Sequence, residues 1–245
     1  MKYQFVYPAL TKQKGAAQGV FLPEYNALKE LGADVDTRPH KNSEKLILRG
    51  FMMYKESQYP QDSRYINSWK EYNATLRMSI YHPLIESISI PTFFTKDLDD
   101  MVVRGTIERG WNKVFIKNDI KSLWGIDECA SLWPNHSLEE IKENLTRCYQ
   151  LNDTYAIRKF IEPEVFIEED RYWVINDKIY HRTGVIPEIV KDAAQRLSVL
   201  GSRYYTIDAT PNFIVEVNPG ESSDRYGDNP PELFASWFME AFDIS

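Results

Sequence analysis

Asp208, Glu216 and Asn218 set the first chemical question. Residues 214–222 read IVEVNPGES, and the apolar run of Phe213, Ile214, Val215 and Val217 predicts a buried strand with Glu216 and Asn218 inside it. A buried carboxylate is costly unless a cation or hydrogen-bond donors meet it. Alternation puts Phe213, Val215 and Val217 on one face, and Ile214, Glu216 and Asn218 on the other, with Glu216 and Asn218 roughly 7 Å apart at their origins. On the preceding TIDA segment, Thr206 and Asp208 share a face in the same way. A turn centred on Pro211 would set Asp208 opposite Ile214, with Glu216 as its diagonal neighbour. Oxygens converging from Asp208, Glu216 and Asn218 suit a hard cation, because magnesium takes one or two carboxylates and completes its shell with water and phosphate. The competing reading is a solvated sheet face, where polar residues need no partner.

The lysines supply complementary charge. VFIKNDIKSL sets Lys117 at the end of an apolar strand and Lys121 in the loop beyond it. Cations at strand ends can grip phosphates as point charges, or simply face solvent. RKFIE also ends a strand in charges, where backbone groups could meet an adenine edge and a glutamate the ribose hydroxyls. The sequence has neither G-x-x-x-x-G-K-[ST] nor G-x-G-x-x-G, which removes the P-loop and the dinucleotide fingerprint. It has no G-x-S-x-G elbow either.

The elements that must position these side chains are legible in outline. KYQFVYPA, a helix over PEYNALKELGADV stopped at Gly32, and strands at VDTRP and EKLILRG predict a small α/β layer. Trp69, Tyr72, Leu76 and Ile80 recur at helical spacing and read as core packing. From Pro91 the order is a helix from about Asp97 to Gly110, the strand KVFIKN, and a helix over SLEEIKENLTRCYQL. Ser137 and Glu140 form a capping box for that last helix. The strand TYAIRKFIE follows, then a hairpin turning at Asn176–Asp177, the helix PEIVKDAAQRLSVLG, a hairpin at Thr210–Pro211, and the helix PELFASWFMEAF. Helices alternating with largely antiparallel strands predict an α+β fold.

Bulk properties narrow the class. A chain of 245 residues, 43% hydrophobic and 27% charged, predicts a globular protein of one large domain or several small lobes. No apolar run approaches the roughly 18 residues that span a bilayer. MKYQFVYPAL does not resemble a signal peptide, and Cys129 and Cys148 make no disulfide framework, so a cytoplasmic location is expected. The four histidines show no zinc-ligand spacing. A net charge of −7 argues against a general nucleic-acid binder while leaving room for a polyanionic ligand.

Taken in order, these segments resemble the ATP-grasp superfamily of carboxylate–amine ligases. The resemblance runs over residues 91–220, about half the chain, and rests on IPTFF followed by a helix and KVFIKN, on YAIRKFIE, on EDRYWVINDKIYHR, and on AAQRLSVLGSRYYTID followed by FIVEVNPG. It implies two α+β lobes, residues 91–165 and 166–245, with ATP between them, preceded by an α/β lobe over residues 1–90. It further implies that Lys117 and Lys121 meet the phosphates, that backbone groups of Lys159 and Ile161 bind adenine, and that Glu169 takes the ribose, with Glu162 or Glu164 as competitors. Asp208, Glu216 and Asn218 would hold one or two magnesium ions. Arg182 would stabilise the transferring γ-phosphoryl group with Arg171 in support, and Arg203 and Ser222 would grip the acceptor. The implied activity joins a carboxylate, activated as an acylphosphate, to an amine or similar nucleophile, with an amino acid or peptide as substrate.

The sequence departs from the family's pattern at three places. KNDIKSLWGIDE is not the usual Gly- and Ser-rich phosphate loop, and the final hairpin is short. The family's earlier lysine has no counterpart unless Arg77 or Lys70 replaces it. Two other functions remain open: a nucleotide-binding module without catalysis, and a nucleotidyltransferase adenylating Lys117, suggested by K-N-D but lacking the glycine that K-x-D-G requires.

Overall fold

In a computed structural model describing residues 1–8, 16–120, 132–148, 154–162, 168–225 and 229–244, the chain is a mixed helix-and-strand structure with three sheets. The first sheet is parallel, in the order β2-β1-β3, from β1 (Tyr3–Val6), β2 (Val35–Asp36) and β3 (Lys45–Leu48). Helix α1 (Ala16–Glu30) carries the chain from β1 to β2. It starts well before the expected Pro23, which lies inside it, and Gly32 turns the chain out of it at φ +86°.

The aromatic stripe of residues 69–80 is split between two helices, α2 (Trp69–Leu76) and α3 (Met78–Ile85). Tyr72, Leu76 and Trp69 pack with Tyr59 as expected of core residues, but Ile80 is 39% exposed. Arg77 is the reason: its extended backbone (φ −92°, ψ 117°) interrupts the helix and resets the phase of the face.

The second sheet is antiparallel, in the order β4-β7-β5-β6, from β4 (Thr92–Thr95), β5 (Val114–Asn118), β6 (Leu132–Trp133) and β7 (Tyr155–Lys159). Its helices are α4 (Asp100–Ile107) and α5 (Leu138–Cys148). The Ser137 capping box is present, with the Ser137 N–H donating to Glu140 Oε2 at 2.8 Å and the Glu140 N–H to Ser137 Oγ at 3.3 Å. Val114, Ile116 and Ile157 face this helical layer with Leu138, Ile141 and Leu145. By alternation, Phe115, Lys117, Ala156 and Arg158 occupy the other face.

The third sheet, in the order β11-β10-β8-β9, carries β8 (Asp170–Ile175), β9 (Lys178–Tyr180), β10 (Tyr204–Ala209) and β11 (Ile214–Pro219). Asn176 and Asp177 take φ of 50° and 67°, the double left-handed turn that suits a two-residue hairpin. Helices α6 (Glu188–Leu197) and α7 (Pro231–Ala241) complete the chain. The register corrects the expected pairing, because Ala209 pairs with Ile214 while Asp208 pairs directly with Glu216. A bulge leaves Val215 as the extra residue. It also shifts the apolar alternation, so that Ile214 joins Val217 in the core and Val215 is only half-buried.

The first and third sheets share one core, in which Phe5 and Tyr7 pack with Trp173, Tyr204, Phe234 and Phe238. Arg49 lies inside it, forked on Glu24 at 2.8 Å through Nε and Nη2 and ringed by Phe21, Trp173, Phe234 and Phe238. Its Nη1 donates to the Gly220 carbonyl, which ties the first sheet to the corner just beyond β11.

Candidate nucleotide and metal site

The bulge brings the oxygens closer together than the sequence predicts. Asp208 lies directly opposite Glu216, and Thr206 opposite Asn218, on one face of the β10–β11 pair. The Asn218 amide nitrogen donates to Asp208 Oδ2 at 3.2 Å and to Glu216 Oε2 at 3.1 Å. Turning that amide over would present its oxygen between the carboxylates instead.

Cations meet these carboxylates from two directions. Arg171 on β8, opposite Asp208, donates through Nε to Oδ1 and through Nη2 to Oδ2, both at 2.7 Å, while its Nη1 reaches Asp224 Oδ1 at 2.9 Å. Lys117 comes from the second sheet: only 2% exposed, it donates through Nζ to Glu216 Oε1. All four carboxylate oxygens of Asp208 and Glu216 therefore accept hydrogen bonds from cations or from the amide. Glu169, half-buried just ahead of β8, has its carboxyl pushed up to about 7, first by burial and then by the negative charges of Asp208 and Glu216.

Other residues named from sequence are distributed differently. Lys159 donates its N–H to the Pro91 carbonyl at 2.9 Å, and proline cannot return that bond, so the Lys159 carbonyl lacks its ladder donor. Ile161 is half-buried beyond it. Arg182 is exposed, with Nη2 at 3.4 Å from Asp170 Oδ1. Arg203 lies at the opposite end of β10 from Asp208; its N–H donates to Asn67 Oδ1 at 2.7 Å and its guanidinium to Asn176. Ser222 follows the Gly220 corner and donates to the Pro219 carbonyl at 3.4 Å. Glu162 is exposed, 3.6 Å from Lys113. Lys121 and Glu164 lie outside the described residues. Arg77 donates to Asp119 at 3.3 Å and to Asn73 at 3.0 Å, and Lys70 lines a separate cavity of about 620 Å³ formed by residues 56–70.

Two charged side chains at the site were missed from sequence. Asp224 is the second acceptor for Arg171, and nothing in ESSDR marks it. Arg158 is buried on the same face of the second sheet as Lys117. Its signal was present, because alternation sets it with Ala156 facing away from Ile157.

No group of three or more His, Cys, Asp and Glu side chains suited to a metal occurs among the described residues. Two carboxylates and one amide oxygen nevertheless fit magnesium, whose remaining positions go to water and phosphate. The donor set is hard, without a sulfur or imidazole to favour zinc.

The three-sheet fold is shared with solved ATP-grasp ligases. No family model matches the sequence, and no curated protein matches it. Solved structures do. The D-cycloserine synthetase DcsG aligns at TM-score 0.63 and 11% identity over 99% of this chain and 100% of its own. D-alanine–D-alanine ligase from Bacillus anthracis, complexed with ATP, aligns at 0.61 and 12% over 99% and 95%. The ATP-grasp ligase PsnB, complexed with minimal precursor, Mg and ADP, aligns at 0.57 and 12% over 99% and 98%. Among the described residues no helix is long and apolar enough to cross a membrane.

Proposed function

We propose that this protein is an ATP- and magnesium-dependent ligase that activates a carboxylate as an acylphosphate and joins it to an amine or similar nucleophile. The observation that carries the reading is the meeting of Asp208, Glu216 and Asn218 on one sheet with Lys117 from another. The fold is shared with ligases whose structures hold ATP, or ADP and Mg, and PsnB is also solved with a precursor peptide. That likeness makes an amino acid or peptide the substrate class to test. The proposal includes the division into lobes over residues 1–90, 91–165 and 166–245, with the nucleotide between the last two.

In this scheme the substrate carboxylate oxygen attacks the γ-phosphorus, the bond to the β-phosphate oxygen breaks, and ADP leaves. The amine then attacks the acyl carbon and phosphate departs, its negative charge balanced by the proton the amine loses. The chain supplies positioning and charge rather than a covalent nucleophile. Lys117 exchanges Glu216 for a phosphate oxygen. Arg171 holds Asp208 by its fork, and Arg182 approaches the transferring group once it releases Asp170. The Lys159 carbonyl, lacking its ladder donor, accepts from the adenine amine beside Ile161, and Glu169 lies within reach of the ribose. Arg203 and Ser222 are carried as acceptor contacts, with Ser222 the nearer to Asn218 in sequence. Asp208, Glu216 and Asn218 would hold magnesium, which when bound neutralises phosphate charge.

The test is ADP release against pooled amino acids and short peptides with wild type and Glu216→Gln. ADP that depends on an acceptor and on magnesium, and that falls at least tenfold in the variant, supports the reading. Equal turnover by the two proteins removes the metal assignment, and a wild type that binds no ATP removes the nucleotide assignment.

A further inference from the structure

Resting on the nucleotide reading above, one buried charge goes beyond it. Arg158 is 6% exposed and sits in the middle of the second sheet, opposite Phe115 on β5 and Thr92 on β4. The pairing makes Lys117 its diagonal neighbour on the same face, about 7–8 Å away at the backbone. Its Nη2 donates to the carbonyl of Val215, the bulged residue beside Glu216, at 2.8 Å. Its Nε is buried with no partner, and it has no ion pair, among the described residues.

Two other arginines, the buried Arg49 and the half-buried Arg171, are built differently. Arg49 is forked on Glu24 and Arg171 on Asp208, each through two nitrogens. A guanidinium presents a rigid fork that matches a carboxylate or phosphate, and withdrawing it from water without that match is expensive. Burial accordingly pulls the pKa of Arg158 down, against the pull of Tyr81, Glu216 and Glu169 at longer range. Among the described residues no carboxylate completes its fork. The replacements offered for the family's earlier lysine lie elsewhere, Arg77 bonded to Asp119 and Lys70 at the rim of a separate cavity.

We propose that Arg158 is a second polyphosphate-gripping residue beside Lys117, with the Val215 carbonyl holding one arm of the guanidinium and Nε left for a phosphate oxygen of the nucleotide. The bond to Val215 then serves the site as well, since it fixes the bulge that sets Glu216 against Asp208.

The experiment compares dissociation constants for ATP and for adenosine by titration calorimetry in wild type, Arg158→Met and Arg158→Lys. The expected result is ATP affinity at least tenfold weaker in the Met variant, adenosine affinity within twofold of wild type, and an intermediate ATP affinity in the Lys variant. A purely structural role at Val215 would weaken both ligands together, and that outcome overturns the proposal. Unchanged ATP affinity in either variant also overturns it. If Arg158→Met does not fold, the Lys variant decides: it keeps the charge and loses the fork, so ATP affinity equal to wild type refutes the inference. A wild type that binds no ATP fails the nucleotide reading itself, and is distinguished by being seen before any substitution.

Discussion

Replacing Glu221 by glutamine should stabilise the protein in alkali and do little in acid. Glu221 follows the Gly220 corner and is wholly buried; Asn67 Nδ2 donates to its Oε1 at 2.9 Å, and its Oε2 has no partner among the described residues. Burial pushes its carboxyl up from 4.5 to about 7, against the Asn67 bond, a backbone N–H and Arg49. Between those two values the folded chain holds a proton that the unfolded chain has released, so stability falls as pH rises through the window. The fall approaches about 1.4 kcal/mol per pH unit and sums to about 3 kcal/mol once pH passes the folded value. Glutamine keeps the acceptor for Asn67 and cannot ionise. Urea unfolding followed by tryptophan fluorescence at pH 5 and pH 8 should therefore show the variant gaining about 2–3 kcal/mol over wild type between the two conditions. Glu169 shifts in the same direction, but it is half-exposed and present in both proteins, so it cancels from the difference. A gap between variant and wild type that is the same at both pH values would refute the reasoning.

Lys117→Met should expose Glu216 to a divalent cation. Manganese titrated without nucleotide is expected to bind the variant at least tenfold more tightly than wild type, while ATP binds more weakly. Asp208→Asn should leave Arg171 facing a neutral amide and lower the melting temperature, because removing one partner of a buried pair typically costs about 3–5 kcal/mol. Calorimetric melting of the variant near wild-type temperature would contradict that. Gly220→Ala should also destabilise, by about 1–3 kcal/mol, since its methyl would collide with the Tyr204 ring and lie 2.8 Å from the Tyr204 carbonyl oxygen. Chemical denaturation reads that loss directly.

Local spacing carried much of the architecture into view. The β10–β11 hairpin, the Asn176–Asp177 turn and the α5 capping box follow from alternation, left-handed turn chemistry and an i, i+3 polar pair. The bulge did not, because a one-residue slip in a short hairpin leaves the polar pattern of Glu216 and Asn218 intact. Only the apolar side records it, through Ile214 being buried and Val215 half-buried. The Lys117–Glu216 pair spans 99 residues and two sheets, and no spacing rule reaches that far. Arg49 is a similar case, since its fork to Glu24 and its bond to Gly220 depend on how the first and third sheets share a core.

The same long-range pairings explain how so much charge is held together. Asp208 and Glu216 would repel one another across the β10–β11 pair if each stood alone, and their charges add to the burial that raises the Glu169 carboxyl. Arg171 and Lys117 neutralise them from two different sheets, and Asn218 bridges what remains. A divalent cation arriving alone gains only what it takes from these pairs, whereas a metal–polyphosphate complex brings an anion for the displaced lysine. Metal and nucleotide binding should therefore be mutually strengthening, by linkage through Lys117. Manganese affinity measured with and without ATP checks this in wild type, and the coupling should shrink in Lys117→Met. A coupling that survives undiminished in that variant would place its origin elsewhere than in the Lys117–Glu216 exchange.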